Sequence, residues 1–168
     1  MNGFSVKVSA HWTFWCYDKD GSLKWKDEID NLVVTEGRNA LLDNTFNAAA
    51  GSVDWYVGLV TGPGSGAQFV AADTLASHGG WLENTTYSGN RKAWTKNGAA
   101  AAGAMSNSSS KAVFTMTGTT VIGGGFLGSA ETGTTGTLYG GGTLSSGDRS
   151  VVDTDILNVQ VDLSITSS

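Results

Sequence analysis

The sequence predicts a mainly β fold, a β-sandwich or jelly-roll-like barrel with one or two short helices and an N-terminal β-hairpin. Three observations carry that expectation. Glycine reaches 24 residues against a single proline while charged residues make up only 15% of the 168, a mix that favours short strands and tight turns over helices. Two long stretches, near either end of the sequence, alternate apolar and polar residues with the period of a strand. Between them, short apolar runs recur between glycine and small polar residues, the spacing of a sandwich or barrel. A chain of this length can bury roughly 70% of the surface its unfolded form exposes, so a hydrophobic core is available.

The elements follow in order. From Ser5 to Tyr17, Val6, Val8, Ala10, Trp12, Phe14 and Cys16 share one face, with Lys7, Ser9, His11 and Thr13 on the other. Asp20-Gly21 supplies the residues of a tight hairpin turn, and Leu23 to Ile29 returns as a second strand. Residues 1–30 therefore read as a hairpin with more aromatic surface than two strands can bury, an arm set apart from a β-sandwich domain at 31–168. Thr35 to Phe46 begins with a capping residue and an early acid and spaces Leu41, Leu42 and Phe46 at helical intervals, which predicts a helix. Trp55 to Thr61 is a buried strand ended by the Gly62-Pro63-Gly64-Ser65-Gly66 turn. A second helix or turn is expected at Asp73 to His78, capped by Asp73 and ended by Gly79-Gly80. Further strands are expected at Thr86–Thr95, Ala112–Met116, Val121–Leu127, Thr137–Tyr139 and Ile156–Ile165. In the last of these, Leu157, Val159, Val161, Leu163 and Ile165 face the core. Asn97 to Ser110, rich in Gly, Ala and Ser, reads as a long surface loop.

Chemistry has little to build on. A net charge of −5 with ten unclustered Lys and Arg argues against a nucleic-acid partner. No apolar stretch approaches the roughly 18 to 20 residues of a membrane span, so no membrane partner is expected. The two histidines, His11 and His78, and the single Cys16 show no metal-ligand spacing, and His11 and Cys16 point to opposite faces of a regular strand. Asp18-Lys19-Asp20-Gly21-Ser22 lacks the Gly and Glu of a calcium loop at Leu23 and Ile29. Gly123-Gly124-Gly125 and Gly140-Gly141-Gly142 precede no helix and carry no P-loop lysine, so close backbone packing is the stronger reading. A nucleophilic serine would need a better placed base than His78. The sequence thus predicts no enzyme, no metal and no cofactor.

Six tryptophans are many for this length, and tryptophan serves both cores and interface hot spots. Trp55 and Trp94 are expected in the core. Trp12, Trp15, Tyr17, Trp25, Trp81 and Arg91 are the candidates for a partner-facing surface, with Arg91 placed to position a loop through a carboxylate pair.

The runs Val34-Thr-Glu-Gly-Arg-Asn-Ala-Leu-Leu-Asp43, Trp55-Tyr-Val-Gly-Leu-Val60, Ala72-Asp-Thr-Leu-Ala-Ser-His-Gly-Gly-Trp-Leu-Glu83 and Tyr87-Ser-Gly-Asn-Arg-Lys-Ala-Trp-Thr95, in that order, resemble a family of small structural proteins of tailed bacteriophages. The similarity continues through Ala112-Val-Phe-Thr-Met116, Gly123-Gly-Gly-Phe-Leu127, Gly136-Thr-Leu-Tyr-Gly140 and the strand after Asp148-Arg-Ser-Val-Val, about residues 30 to 166. Similar proteins often carry Arg-Pro where this chain has Arg91-Lys92, and the hairpin over 1–30 reads as an addition to the shared part.

The resemblance implies a virion component, made in the host cytoplasm and placed on the outer capsid surface. Its expected role is that of a decoration or cement protein that binds the major capsid protein and itself, as a homotrimer at a site of local three-fold symmetry. The hairpin would be its arm, pairing by β-augmentation with Trp15 and Trp25 as anchors. The other reading is a tail, fibre or baseplate component that binds a host glycan.

Overall fold

The computed structural model describes residues 5–47, 53–62 and 69–167. Two antiparallel sheets face each other without closing into a barrel, so the sandwich is the architecture and the barrel is not. The first sheet is built around the two alternating stretches seen in the sequence. Strand β1 (Val6–Tyr17) pairs on one side with β2 (Leu23–Asp30) and on the other, over all twelve of its residues, with β12 (Ile156–Ser167). Beyond β12 lie β7 (Ala104–Ser106) and β8 (Ala112–Thr115), end to end along the same edge.

The second sheet runs β3 (Leu32–Val33), β10 (Leu138–Thr143), β9 (Thr120–Gly128), β4 (Tyr56–Thr61) and β5 (Glu83–Asn84). Two short strands attach to it, β6 (Lys92–Ala93) on β4 and β11 (Arg149–Val151) on β9. The turn at 62–66 lies mostly outside the described residues.

The main core fills the space between the sheets. Trp12, Phe14 and Cys16 of β1 and Leu157, Val159 and Val161 of β12 are fully buried against Val57, Leu59, Ile122 and Leu127. Each large apolar side chain buried there contributes about 1.5–3 kcal/mol. The glycine triplets make the close approach possible: a Cβ on Gly125 would lie 2.9 Å from the Phe14 ring, and one on Gly124 would lie 2.1 Å from the Gly142 carbonyl oxygen. A second cluster, on the far face of the second sheet, joins Val34, Val60, Leu75, Trp81, Phe126 and Leu138. Helix α1 (Thr35–Phe46) and the turns over 70–82 cover that face.

Several expectations need correction. The boundary at residue 30 does not divide the fold, because β1 lies inside its sheet and supplies central core residues. The hairpin of β1 and β2 is therefore part of the sandwich and not an arm. Of the helix or turn expected at Asp73 to His78, it is the turn that forms, closed by the Ser77 amide on the Thr74 carbonyl; the Asp73 carboxylate accepts from the Val70 amide and the Trp81 indole and caps no helix. Asn97–Ser110 is not wholly a loop, since it contains β7. Gly103 there, at φ +73, takes a backbone conformation that side chains disfavour.

Candidate interaction surface

The three candidates on β1, Trp12, Trp15 and Tyr17, separate by strand parity. Even-numbered residues of β1 face the core and odd-numbered ones face outward. Trp12 is therefore sealed in the core, stacked on Phe14 at 6.2 Å, and is not an interface residue. Trp81 is buried in the second cluster between Phe69, at 4.7 Å, and His78, at 3.6 Å. The turns around it bring those rings together, and no local pattern in the sequence announces them. Arg91 is also buried: its Nε and Nη2 donate to the two Glu83 carboxylate oxygens at 2.8 Å, and Nη1 and Nη2 donate to the Ala130 and Gly133 carbonyls. Its guanidinium also lies over the Phe126 ring. These bonds hold the turn after β9, and they remove Arg91 and Trp81 from any partner-facing set.

Trp15, Tyr17 and Trp25 remain half-buried. Trp25 points inward at the sheet edge, where its Nε1 donates to the Ser150 carbonyl at 3.3 Å and ties β2 to β11. Trp15 and Tyr17 lie on the outer face of the first sheet. The Lys26 and Lys111 ammonium groups sit 5.8 and 5.2 Å from the Trp15 ring centre, each a cation–π contact of about 0.5–1 kcal/mol when exposed. Val113 and Ile156 are exposed on the same face. At its other end His11 Nδ1 meets Asp30 at 2.9 Å and Nε2 lies 3.8 Å from Glu28.

The outer edge of β1 is a second surface. At Asn31 the chain leaves β2 and crosses into the second sheet, its last bond to β1 being Asn31 N–H to the Ala10 carbonyl. Below Ala10, β1 pairs only with β12. Main-chain groups of alternate residues point to the same side of a strand, so those of Val6 and Val8 share the direction of the Ala10 carbonyl. Among the described residues no strand meets them there. Val6 is 69% exposed, and Lys7 stands in the middle of this open stretch.

A third feature is a groove of about 1110 Å³ between α1, β4 and the β7–β12 edge. Trp55, Tyr139, Leu41 and Met105 line it together with Asn44, Asp54 and Lys96. Trp55 packs edge-on against Tyr139, and Trp94 Nε1 donates to the Val161 carbonyl.

The remaining reactive groups are held in structural roles. Burial and the neighbouring Asp155 carboxylate push the Cys16 thiol up to about 12, so it stays protonated. Asp155 is itself buried and accepts from Lys24 Nζ and the Val152 amide. His78 is stacked on Trp81, with Nδ1 3.1 Å from the Trp81 carbonyl oxygen. Asp18 closes the hairpin turn by accepting from the Asp20 and Ser22 amides at 2.9 Å. Among the described residues no group of three or more His, Cys, Asp or Glu could hold a metal ion. Comparison with family models, with curated proteins and with solved structures found no match.

Proposed function

We propose that this chain is a structural protein of a tailed-bacteriophage virion, a decoration protein that binds the outer shell and bridges neighbouring capsomers. The observation that supports the reading is the open edge of β1. A sandwich in which, among the described residues, no strand meets the Val6 and Val8 main-chain groups on one side of β1 offers a template to which a neighbour's strand can add. Lys7 keeps such an edge from pairing indiscriminately, so the fitting partner strand places a carboxylate opposite it. The resemblance in sequence supplies the virion context, and the major capsid protein is the partner that follows from it. Many copies on one shell make weak single contacts sufficient. The groove, lined by both aromatic and polar side chains, favours the second reading, a tail component that binds a host glycan.

Val6→Pro tests the edge. The substitution removes one outward N–H at an exposed position and leaves the core untouched. It is expected to keep the thermal melt of the parent while losing co-sedimentation with the phage particle by at least about tenfold, whereas Val6→Ala retains it. Equal binding of Val6→Pro and parent would show that the edge is not the dock, and a parent protein that never co-sediments would remove the virion reading itself.

A further inference from the structure

Strand parity decides what a strand added to β1 must look like. The N–H and C=O of one residue in an antiparallel strand point to the same side, and the Ala10 carbonyl points to the β2 side, where it accepts from the Asn31 amide. The main-chain groups of Val6 and Val8 therefore share that side, along the line that β2 vacates at Asn31. Their side chains lie on the core-facing side of the sheet. Apolar surface is left bare there: Val6 is 69% exposed, and Ile165, which pairs with Val8 on β12, is 49% exposed. Lys7 stands between the two valines on the opposite face, where Ser9, Ser164 and Thr166 are its neighbours in the register. Lys19, Lys24 and Lys26 each meet a carboxylate of this chain, whereas among the described residues no carboxylate pairs with Lys7.

We propose, resting on the reading of β1 as the docking edge, that its partner is a short extended protein segment, antiparallel to β1, with an apolar–acidic–apolar triplet whose acid lies opposite Lys7. In antiparallel pairing the residues opposite Val6 and Val8 each exchange both main-chain bonds with them. Their side chains then point to the core-facing side, beside Val6 and Val8, so apolar residues there extend the buried face of the sheet. The residue between them points the other way, across from the Lys7 ammonium. An acid pairs with it, and a lysine or arginine is repelled. The segment runs in the direction of β2 and begins opposite Val8, because the Asn31 amide already holds the Ala10 carbonyl. A shift of one residue would put the acid on the apolar side and an apolar side chain against Lys7. The edge thus reads register as well as charge.

So short a ladder is weak by itself. A free peptide must be ordered as it binds, so its affinity for a single copy of this chain is expected at about millimolar. Many copies on one surface make a contact of that strength sufficient. The unpaired lysine also sets the edge against basic or wholly apolar strands, which keeps it from joining unrelated sheets.

Two end-blocked peptides test this on the isolated full chain, without particles: Ser-Thr-Val-Glu-Val-Thr-Ser, and the same peptide with lysine in place of glutamate. Amide hydrogen exchange and chemical-shift titration by NMR are the readouts. The glutamate peptide is expected to slow exchange of the Val6 and Val8 amides and to bind at least about threefold more tightly than the lysine peptide, since opposite charges attract across a strand pair and like charges repel. Lys7→Glu should reverse that order. Lys7 is exposed, and circular dichroism checks that the variant folds like the parent. No slowing at Val6 and Val8, equal affinity for the two peptides, or a Lys7→Glu variant that keeps the parental preference would each overturn the proposed segment. Co-sedimentation of Val6→Pro with the particle tells the two failures apart. If both peptides fail while Val6→Pro loses the particle, the edge docks a strand of other chemistry and the triplet is wrong. If the glutamate peptide binds as expected while Val6→Pro keeps the particle, the triplet stands and the edge is not the particle's dock.

Discussion

Asp27 joins the two sheets through one carboxylate. It sits on the core side of β2, and its oxygens accept from Ser145 Oγ at 2.8 Å, Ser146 Oγ at 3.3 Å, Arg149 Nε at 3.0 Å and the Glu28 amide at 2.8 Å. Burial pushes its pKa up, but the Ser145, Glu28 and Arg149 bonds outweigh burial and hold it below the usual value of 3.8. A carboxylate with a lowered folded-state pKa contributes stability that is complete above the unfolded value and is lost as pH falls through the folded one. Asp27→Asn should therefore cost about 2 kcal/mol at neutral pH, and its deficit relative to the parent should shrink as pH falls below the ordinary value of 3.8. Urea titrations at several pH values check this, and a deficit independent of pH would mean that the charge plays no part. Asn107 shows a second residue-scale solution: fully buried between β7 and β8, it donates from Nδ2 to the Val159 carbonyl and accepts at Oδ1 from the Val161 amide, standing in for a missing strand rung. Neither role could be read in the sequence, because each depends on residues far away along the chain. What could be read was parity. Trp12 shares its face with Phe14 and Cys16, and that periodicity places it in the core more reliably than its residue type places it at an interface.

At the scale of elements, α1 is held to the sandwich by an unusual contact. Its Leu42 and Phe46 are exposed, Phe46 at 82%, and Gly37 is its buried residue. Residues with helical spacing thus mark the helix without marking its packed face. Main-chain approach holds it instead: a Cβ on Gly37 would lie 2.2 Å from the Tyr139 carbonyl oxygen. The Glu36 carboxylate adds bonds from the Leu138 amide at 2.6 Å and the Leu75 amide at 3.3 Å. Alanine at a glycine inside a helix ordinarily adds about 1 kcal/mol of stability. Gly37→Ala should instead lower it by at least about 2 kcal/mol, through the steric conflict with β10, as thermal or chemical denaturation would reveal; a stabilised variant would show that α1 does not rest on β10. Long strands were legible for a related reason. β1 and β12 alternate over enough residues for a period to show, whereas β3, β5 and β6 have two residues each and β7 and β11 three. Such strands are fixed by what they pair with, and their own residues carry no pattern.

At the scale of the molecule, two buried clusters lie on either side of the second sheet, and among the described residues no helix or second sheet covers the outer face of the first. The outer face of the first sheet, the β1 edge and the groove are the surfaces that such a sandwich offers, and the proposed role uses the edge. The mainly β class and the paucity of catalytic residue types were visible in composition and spacing alone. The placement of the first hairpin was not, since a hairpin's own residues do not reveal that a strand from the other end of the sequence will add to it. β12 does so along the whole of β1, which turns the expected arm into the centre of a sheet and moves the proposed dock from the hairpin's aromatic residues to its open edge. The most direct measurement of the proposed role is the number of copies of this chain in purified phage particles, obtained by quantitative mass spectrometry against the major capsid protein. A shell decoration is expected at hundreds of copies per particle; tens of copies or fewer, confined to tails, or none at all, would contradict it.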